Sequence, residues 1–133
     1  MSFAAEIDQF AGETVDKIER IRRIFIGKLC FAIVERTPVR TGFHNGNWQP
    51  SIGAPEMDVV PRKSKDGAYI KRLVMSTLEK LKGDEAFYFS NNGPAILRLE
   101  YEGWSSQAPA GMVRVSAAEA GQIINQAIRE GEL

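Results

Sequence analysis

A length of 133 residues fits one domain, and such a chain buries roughly 65–70% of its unfolded surface, enough for a core without covalent staples. Seventeen basic residues balance seventeen acidic ones, so net charge supplies no global attraction to nucleic acid or an anionic membrane. A single cysteine, Cys30, excludes an internal disulfide, and no apolar run reaches the ~18 residues of a membrane span.

Residues 4 to about 36 read as one long helix. Phe3, Ile7, Phe10, Thr14, Ile18, Ile21, Phe25 and Leu29 advance in steps of three or four, which places them on one stripe. Ser2 fits the N-cap, and early Glu6 and Asp8 with later Lys28 and Arg36 suit the helix dipole. From Ile24 to Val34 nearly every position is apolar, so this half must be covered on all sides and belongs in the core. The outer half is free to project and show its stripe to another subunit. Gly27 weakens the helix by ~1 kcal/mol relative to Ala and points to a close backbone crossing. Pro38 stops the helix near Arg36 or Thr37. Cys30, inside the apolar run, reads as a small buried hydrophobe in a chain made in a reducing cytoplasm. Acidic residues stand where a basic leader region would be, so a signal peptide is not expected.

Segment 39–63 reads as extended and turn-rich. Asn45-Gly46 signals a turn, and Trp48 and Ile52 suggest a short strand closed by Gly53, Ala54 and Pro55. Val59-Val60 before Pro61 fits another short strand or an ordered crossing. A second helix is predicted over about 66–82, capped by Ser64 or Asp66 and closed by Gly83. Its buried face holds Ile70, Leu73, Val74, Leu78 and Leu81. Ala86 to Ser90 has strand composition, with Phe87 and Phe89 on one face and Tyr88 on the other. Asn91-Asn92-Gly93 turns the chain, and Pro94 suits the first position of a short helix through Tyr101, ended by Gly103. The last helix is predicted from near Ser116 to about Glu130, with Ala117, Ala120, Ile123, Ile124, Ala127 and Ile128 on its apolar side. The sum is one α+β domain over residues 1–133: a long N-terminal helix (1–38), a small, mostly antiparallel sheet covered by helices, and a C-terminal helix.

Side chains that do chemistry are sparse. His44 is the only histidine and Cys30 the only cysteine, so no metal or other cofactor is expected. His44 reads as an exposed loop residue without a nucleophile or orienter beside it. Thr41, Ser51, Ser64, Ser90, Ser105 and Ser106 lack a nucleophile-elbow context. Gly42 and Gly46 precede no Walker lysine. Glu100 with Glu102, and Glu130 with Glu132, suit solvated faces or inter-subunit salt bridges. Arg62, Lys63, Lys65, Lys71 and Arg72 form the one basic concentration, which could touch phosphate backbones but has no alternating aromatic residues for stacking. No catalytic set emerges, and the chain is not expected to be an enzyme.

Two punctuated segments stand apart. One runs from Thr37-Pro38-Val39-Arg40-Thr41-Gly42 to Gly46-Asn47-Trp48. The other runs from Leu99-Glu100-Tyr101-Glu102-Gly103-Trp104 to Gln107-Ala108-Pro109-Ala110-Gly111-Met112-Val113-Arg114. Trp48 fits either a core position or a contact, whereas Trp104 sits on a polar loop, where a tryptophan is often an interface anchor.

In combination these segments resemble the tail-component, or neck-protein, family of long-tailed bacteriophages, also called tail-completion proteins. Pro38-Val39-Arg40-Thr41-Gly42 after a long helix is similar to the family's P-V-R-T-G motif, and Gly46-Asn47-Trp48-Gln49 to the strand that follows. Phe89-Ser90-Asn91-Asn92 with Ala95 to Tyr101 resembles its strand, Asn turn and Leu-Glu-Tyr-Gly unit, with Glu102 inserted before the glycine. Gly103-Trp104-Ser105 and Gln107 to Arg114 resemble its closing motif. The likeness spans about residues 20 to 120.

The resemblance implies a non-enzymatic part of the virion neck, made in the host cytoplasm. It would be a ring around the DNA channel that completes the tail and joins it to the head connector. The implied partners are further copies of itself (a hexamer matches the usual tail symmetry), a tail-terminator or tail-tube protein, a head connector or stopper protein, and genomic DNA passing without sequence recognition; no membrane is involved. The contact residues it suggests are Arg40, Trp48, Tyr101, Trp104, Gln107, Pro109, Met112 and Arg114. The alternatives are a tail-terminator or connector-stopper subunit, or a small DNA-contacting protein using Arg62 to Arg72.

Overall fold

The computed structural model describes residues 2–132. Its first element is helix α1 (Phe3–Arg36), about 51 Å long at 1.5 Å per residue. Ser2 caps it as expected, its Oγ accepting the Ala5 N–H at 3.2 Å. Thr37 closes it before Pro38, its N–H bonding the Val34 carbonyl.

A one-turn helix α2 (Phe43–Gly46) and strand β1 (Trp48–Ile52) follow. Helix α3 (Ala68–Lys80), strand β2 (Phe87–Asn91), helix α4 (Ile96–Tyr101), helix α5 (Val113–Ala118) and helix α6 (Ala120–Gly131) complete the order. The strands form a two-stranded antiparallel sheet, with Trp48 opposite Asn91 and Ile52 opposite Phe87. The class is α+β.

Helices α3 and α6 both run antiparallel to α1. Gly67, just before α3, packs against Val34, and Leu78 near the helix end lies against Gly27. A Cβ at Gly27 would meet Leu78 Cδ1 at 3.3 Å, which explains the glycine as the predicted close crossing. On the α6 side, Arg36 pairs with Glu119 while Gly131 sits on Ile21 and its carbonyl accepts from Arg20. Lys28 pairs with Glu130 at 2.7 Å and Lys17 with Glu132 at 3.7 Å. These pairs are partly exposed and add little stability individually. Glu130 and Glu132 thus stay exposed, as their expected solvated role requires, while pairing within the chain.

Because α6 covers α1 only back to about Lys17, the outer part has no neighbour among the described residues. Phe3, Ile7, Phe10 and Ile18 are all exposed, as the stripe's projecting half predicts, and so is Val15 off the stripe. The inner half is less enclosed than its composition suggests. Gly27, Cys30, Ile33 and Val34 are buried, whereas Ile26, Leu29 and Phe31 are only partly covered.

The core joins those α1 residues to Trp48, Ile70, Val74, Leu78, Leu81, Leu99, Ala108 and Met112. Cys30 lies within it, and burial pushes its thiol up to about 12. The thiolate is the nucleophile, so a disulfide-exchange reagent should leave native protein unlabelled at neutral pH and titrate one thiol after denaturation. Among the described residues no helix is long and apolar enough to cross a membrane.

Several expectations need correction. Asn45-Gly46 lies in α2, whose start Gly42 reaches with φ +86°. Of the two readings of Val59-Val60 the ordered crossing holds and the strand does not: side chains secure it, with the Val60 N–H on Asn47 Oδ1 (2.8 Å) and Gln49 Nε2 on the Asp58 carbonyl (2.7 Å). Ser64 and Asp66 accept the Gly67 and Ala68 N–H groups, so they brace the turn while Gly67 occupies the cap. Helix α3 ends at Lys80, with Leu81 as its cap ahead of Gly83. Pro94 precedes α4 by two residues. The expected terminal helix is two, α5 and α6, meeting at Glu119, and Ser116 is buried inside α5 with its hydroxyl on the Met112 carbonyl.

Candidate functional site

The two punctuated segments meet in space, and a buried carboxylate organises one of them. Helix α5 begins without a side-chain cap from its own neighbour. Its orphan N–H groups are satisfied instead by Glu100, from the end of α4: Oε1 accepts Met112 (3.1 Å) and Val113 (2.8 Å), and Oε2 accepts Arg114 (3.1 Å). The Arg114 guanidinium returns to Glu100 Oε2 at 3.2 Å and to the Glu100 carbonyl. Burial alone pushes the Glu100 carboxyl upward; the N–H groups of Val113, Arg114 and Met112, with the Arg114 side chain, outweigh it and hold the pKa below its ordinary 4.5.

Gly111 makes this approach possible. It sits at φ +92°, and a Cβ there would run into the Glu100 carboxylate and carbonyl. Segment 98–114 is thus a self-braced knuckle. Its outer surface carries Arg114 over the Tyr101 ring (4.7 Å) and Arg98 over the Trp104 ring (5.3 Å). Tyr101 and Trp104 are 63% and 60% exposed.

Gln107 ties the knuckle to the segment after α1. Its Oε1 accepts the Val39 N–H at 2.9 Å, and its Nε2 lies 3.5 Å from the Val39 carbonyl, so one amide side chain imitates a paired strand. Between the two segments opens a groove of about 920 Å³. Pro38, Val39, Phe43, Leu99 and Trp104 supply apolar wall, and Arg40 and Lys63 supply charge.

His44 also lines this groove, and it is not the free loop residue expected from the sequence. It belongs to α2, its Nε2 accepts the Ala95 N–H at 3.1 Å, and its carbonyl accepts Asn91 Nδ2 at 2.7 Å. That bond requires an unprotonated Nε2, and partial burial lowers the pKa from 6.5. The neutral form is therefore favoured by folding. Its contribution is present above pH 6.5 and is lost as pH falls through the lower folded value. An NMR titration of this sole histidine should give a midpoint below 6.5.

Of the residues that sequence suggested for contacts, Arg40, Tyr101, Trp104, Gln107, Pro109 and Arg114 are exposed. Trp48 and Met112 are not, at 4% and 0%. Trp48 stacks on Phe89 (centroids 4.9 Å, 14° between planes), and its Nε1–H donates to Thr37 Oγ1 at 2.8 Å. Thr37 in turn donates to the Ile33 carbonyl at 2.7 Å. A satisfied indole N–H removes the cost of burying a tryptophan, so this one is core. Met112 is sealed beneath the knuckle, where its unbranched side chain fills the space under α5.

The site residue that sequence reasoning missed is Glu100, set aside as solvated. A partial signal existed in the Gly111 that precedes a helix lacking its own capping side chain. The basic concentration is also partly committed. Arg62 donates to the Gly46 and Trp48 carbonyls (2.7 and 3.0 Å), and Lys71 pairs with Glu35 at 2.7 Å. Among the described residues no three His, Cys, Asp or Glu side chains cluster as metal ligands. No known family, curated protein or solved structure matches this chain.

Proposed function

We propose that this protein is a structural subunit of a long-tailed phage neck: a tail-completion protein that joins the tail to the head connector as a ring around the DNA channel. The observation that supports this reading best is the knuckle. An internally bonded unit presents Tyr101 and Trp104 outward, each with an arginine laid on its ring, from a loop whose sequence resembles the family's closing motif. Aromatic and arginine side chains on a pre-organised surface are the groups that most often dominate protein contacts. The partners on this reading are neighbouring copies, the tail tube or its terminator, and the connector or stopper; DNA would pass through the lumen unread.

The decisive experiment measures the mass of purified chain with and without phage tail tubes. A monomer or small oligomer that becomes a ring on the tube supports the reading, and indifference to tubes overturns it. Trp104→Ala should weaken that association by roughly 2 kcal/mol while leaving the melting curve of the free chain nearly unchanged. Loss of the fold with normal assembly would instead make Trp104 a structural residue.

A further inference from the structure

We propose that the outer part of α1, residues 3 to 16, docks in the groove beside Trp104 on a second copy of this chain. The arm is apolar on one stripe and acidic around it. Phe3 and Phe10 are 78% and 68% exposed, with Ile7 between them on the same face. Glu6, Asp8, Glu13 and Asp16 are its only charges, since no Lys, Arg or His occurs from Ser2 to Asp16. At about 100° per residue, Glu6 and Glu13 flank the stripe on one side, while Asp8 and Asp16 lie toward the back of the helix.

The groove is the converse. Its wall is largely apolar, its charged side chains are Arg40 and Lys63, and among the described residues no carboxylate lines it. An acidic helix with an aromatic stripe matches both properties, and like-charged arms would repel one another. The chain cannot satisfy its own groove. Phe10 lies about 39 Å of helix from Arg36, after which the groove begins. The occupant is therefore another copy, bound arm to groove. Two different patches meet, so the contact is heterologous and propagates head to tail, closing into a ring where the rotation permits. The contact deepens the ring reading above and rests on it for closure alone.

The test uses full-length chains carrying Phe10→Cys or Ser106→Cys, both exposed positions, while buried Cys30 stays silent. Mixed under mild oxidation, the two variants should yield a dimer containing one of each, and the double variant a ladder of multimers. Lys63→Glu with Arg40→Glu should cut the mixed product about tenfold, and adding Glu6→Lys with Glu13→Lys on the arm should restore it. Predominant linkage of Phe10→Cys chains to each other, no mixed product, or a product indifferent to both reversals overturns the contact. A ladder from protein that ignores tail tubes would retire the neck reading and keep the contact. A ring on tubes without the mixed product would do the opposite.

Discussion

Glu100→Ala is expected to destabilise the fold by about 3 kcal/mol, read as a lower urea midpoint with an unchanged slope. The loss has two parts. Three N–H groups at the start of α5 lose their acceptor together, and the Arg114 guanidinium loses its carboxylate. Glu100→Gln should cost less, because one carbonyl oxygen still accepts while the amide NH₂ faces donors. The pH dependence separates a charged cap from a merely well-packed side chain. Glu100 titrates below its ordinary 4.5 in the folded chain. Its stabilisation is thus fully present above that value and is lost as acid carries pH through the folded pKa. The Gln variant should lack this part of the pH dependence, and a wild-type curve no steeper there than that of the Gln variant would refute the assignment. Gly111→Ala should approach the same loss by forcing a Cβ onto the same carboxylate at a positive φ.

The second large effect is a contrast between two tryptophans. Trp48→Ala should cost about 3–5 kcal/mol, since it empties a buried stack against Phe89 and strips Thr37 of its indole donor. Trp104→Ala should stay within about 0.5 kcal/mol of wild type, because its ring is mostly in solvent and meets chiefly the Arg98 side chain. Urea titrations of the two variants side by side decide the matter. Similar losses in both would mean that the knuckle supports the core more than its exposure implies.

The long elements were legible because their signals are periodic and local. Helix α1 follows from a stripe, a serine cap and a proline stop. Ile70, Val74, Leu78 and Leu81 mark the inner face of α3, and Phe87 and Phe89 alternate with Tyr88 along β2. What escaped was decided by contacts distant in sequence. Nothing beside Glu100 shows that its partners lie 12 to 14 positions on, and neighbouring Glu102, which is exposed, makes it look solvated. Trp48 could be placed only once Thr37 and Phe89 were seen on either side of it. The α5–α6 break falls at Glu119 within a run of helix formers, and the nearby Gly121 sits inside α6 and not at the break. Exposure was legible where polar loop surroundings forced it, as for Trp104 and Gln107, and misjudged where motif membership alone suggested a contact, as for Met112.

The small sheet has a consequence of its own. Gly53 donates to the Ala86 carbonyl, which continues the ladder through alternate residues of β1 and turns the backbone of Trp48 and Pro50 away from β2. On that outward side the Trp48 carbonyl is already taken by Arg62, and Pro50 has no hydrogen to give. The ribbon is therefore blunted along one flank against recruiting a stray strand. Copies brought to high local density, as the proposed ring would bring them, gain protection there from fibrous association through the main chain.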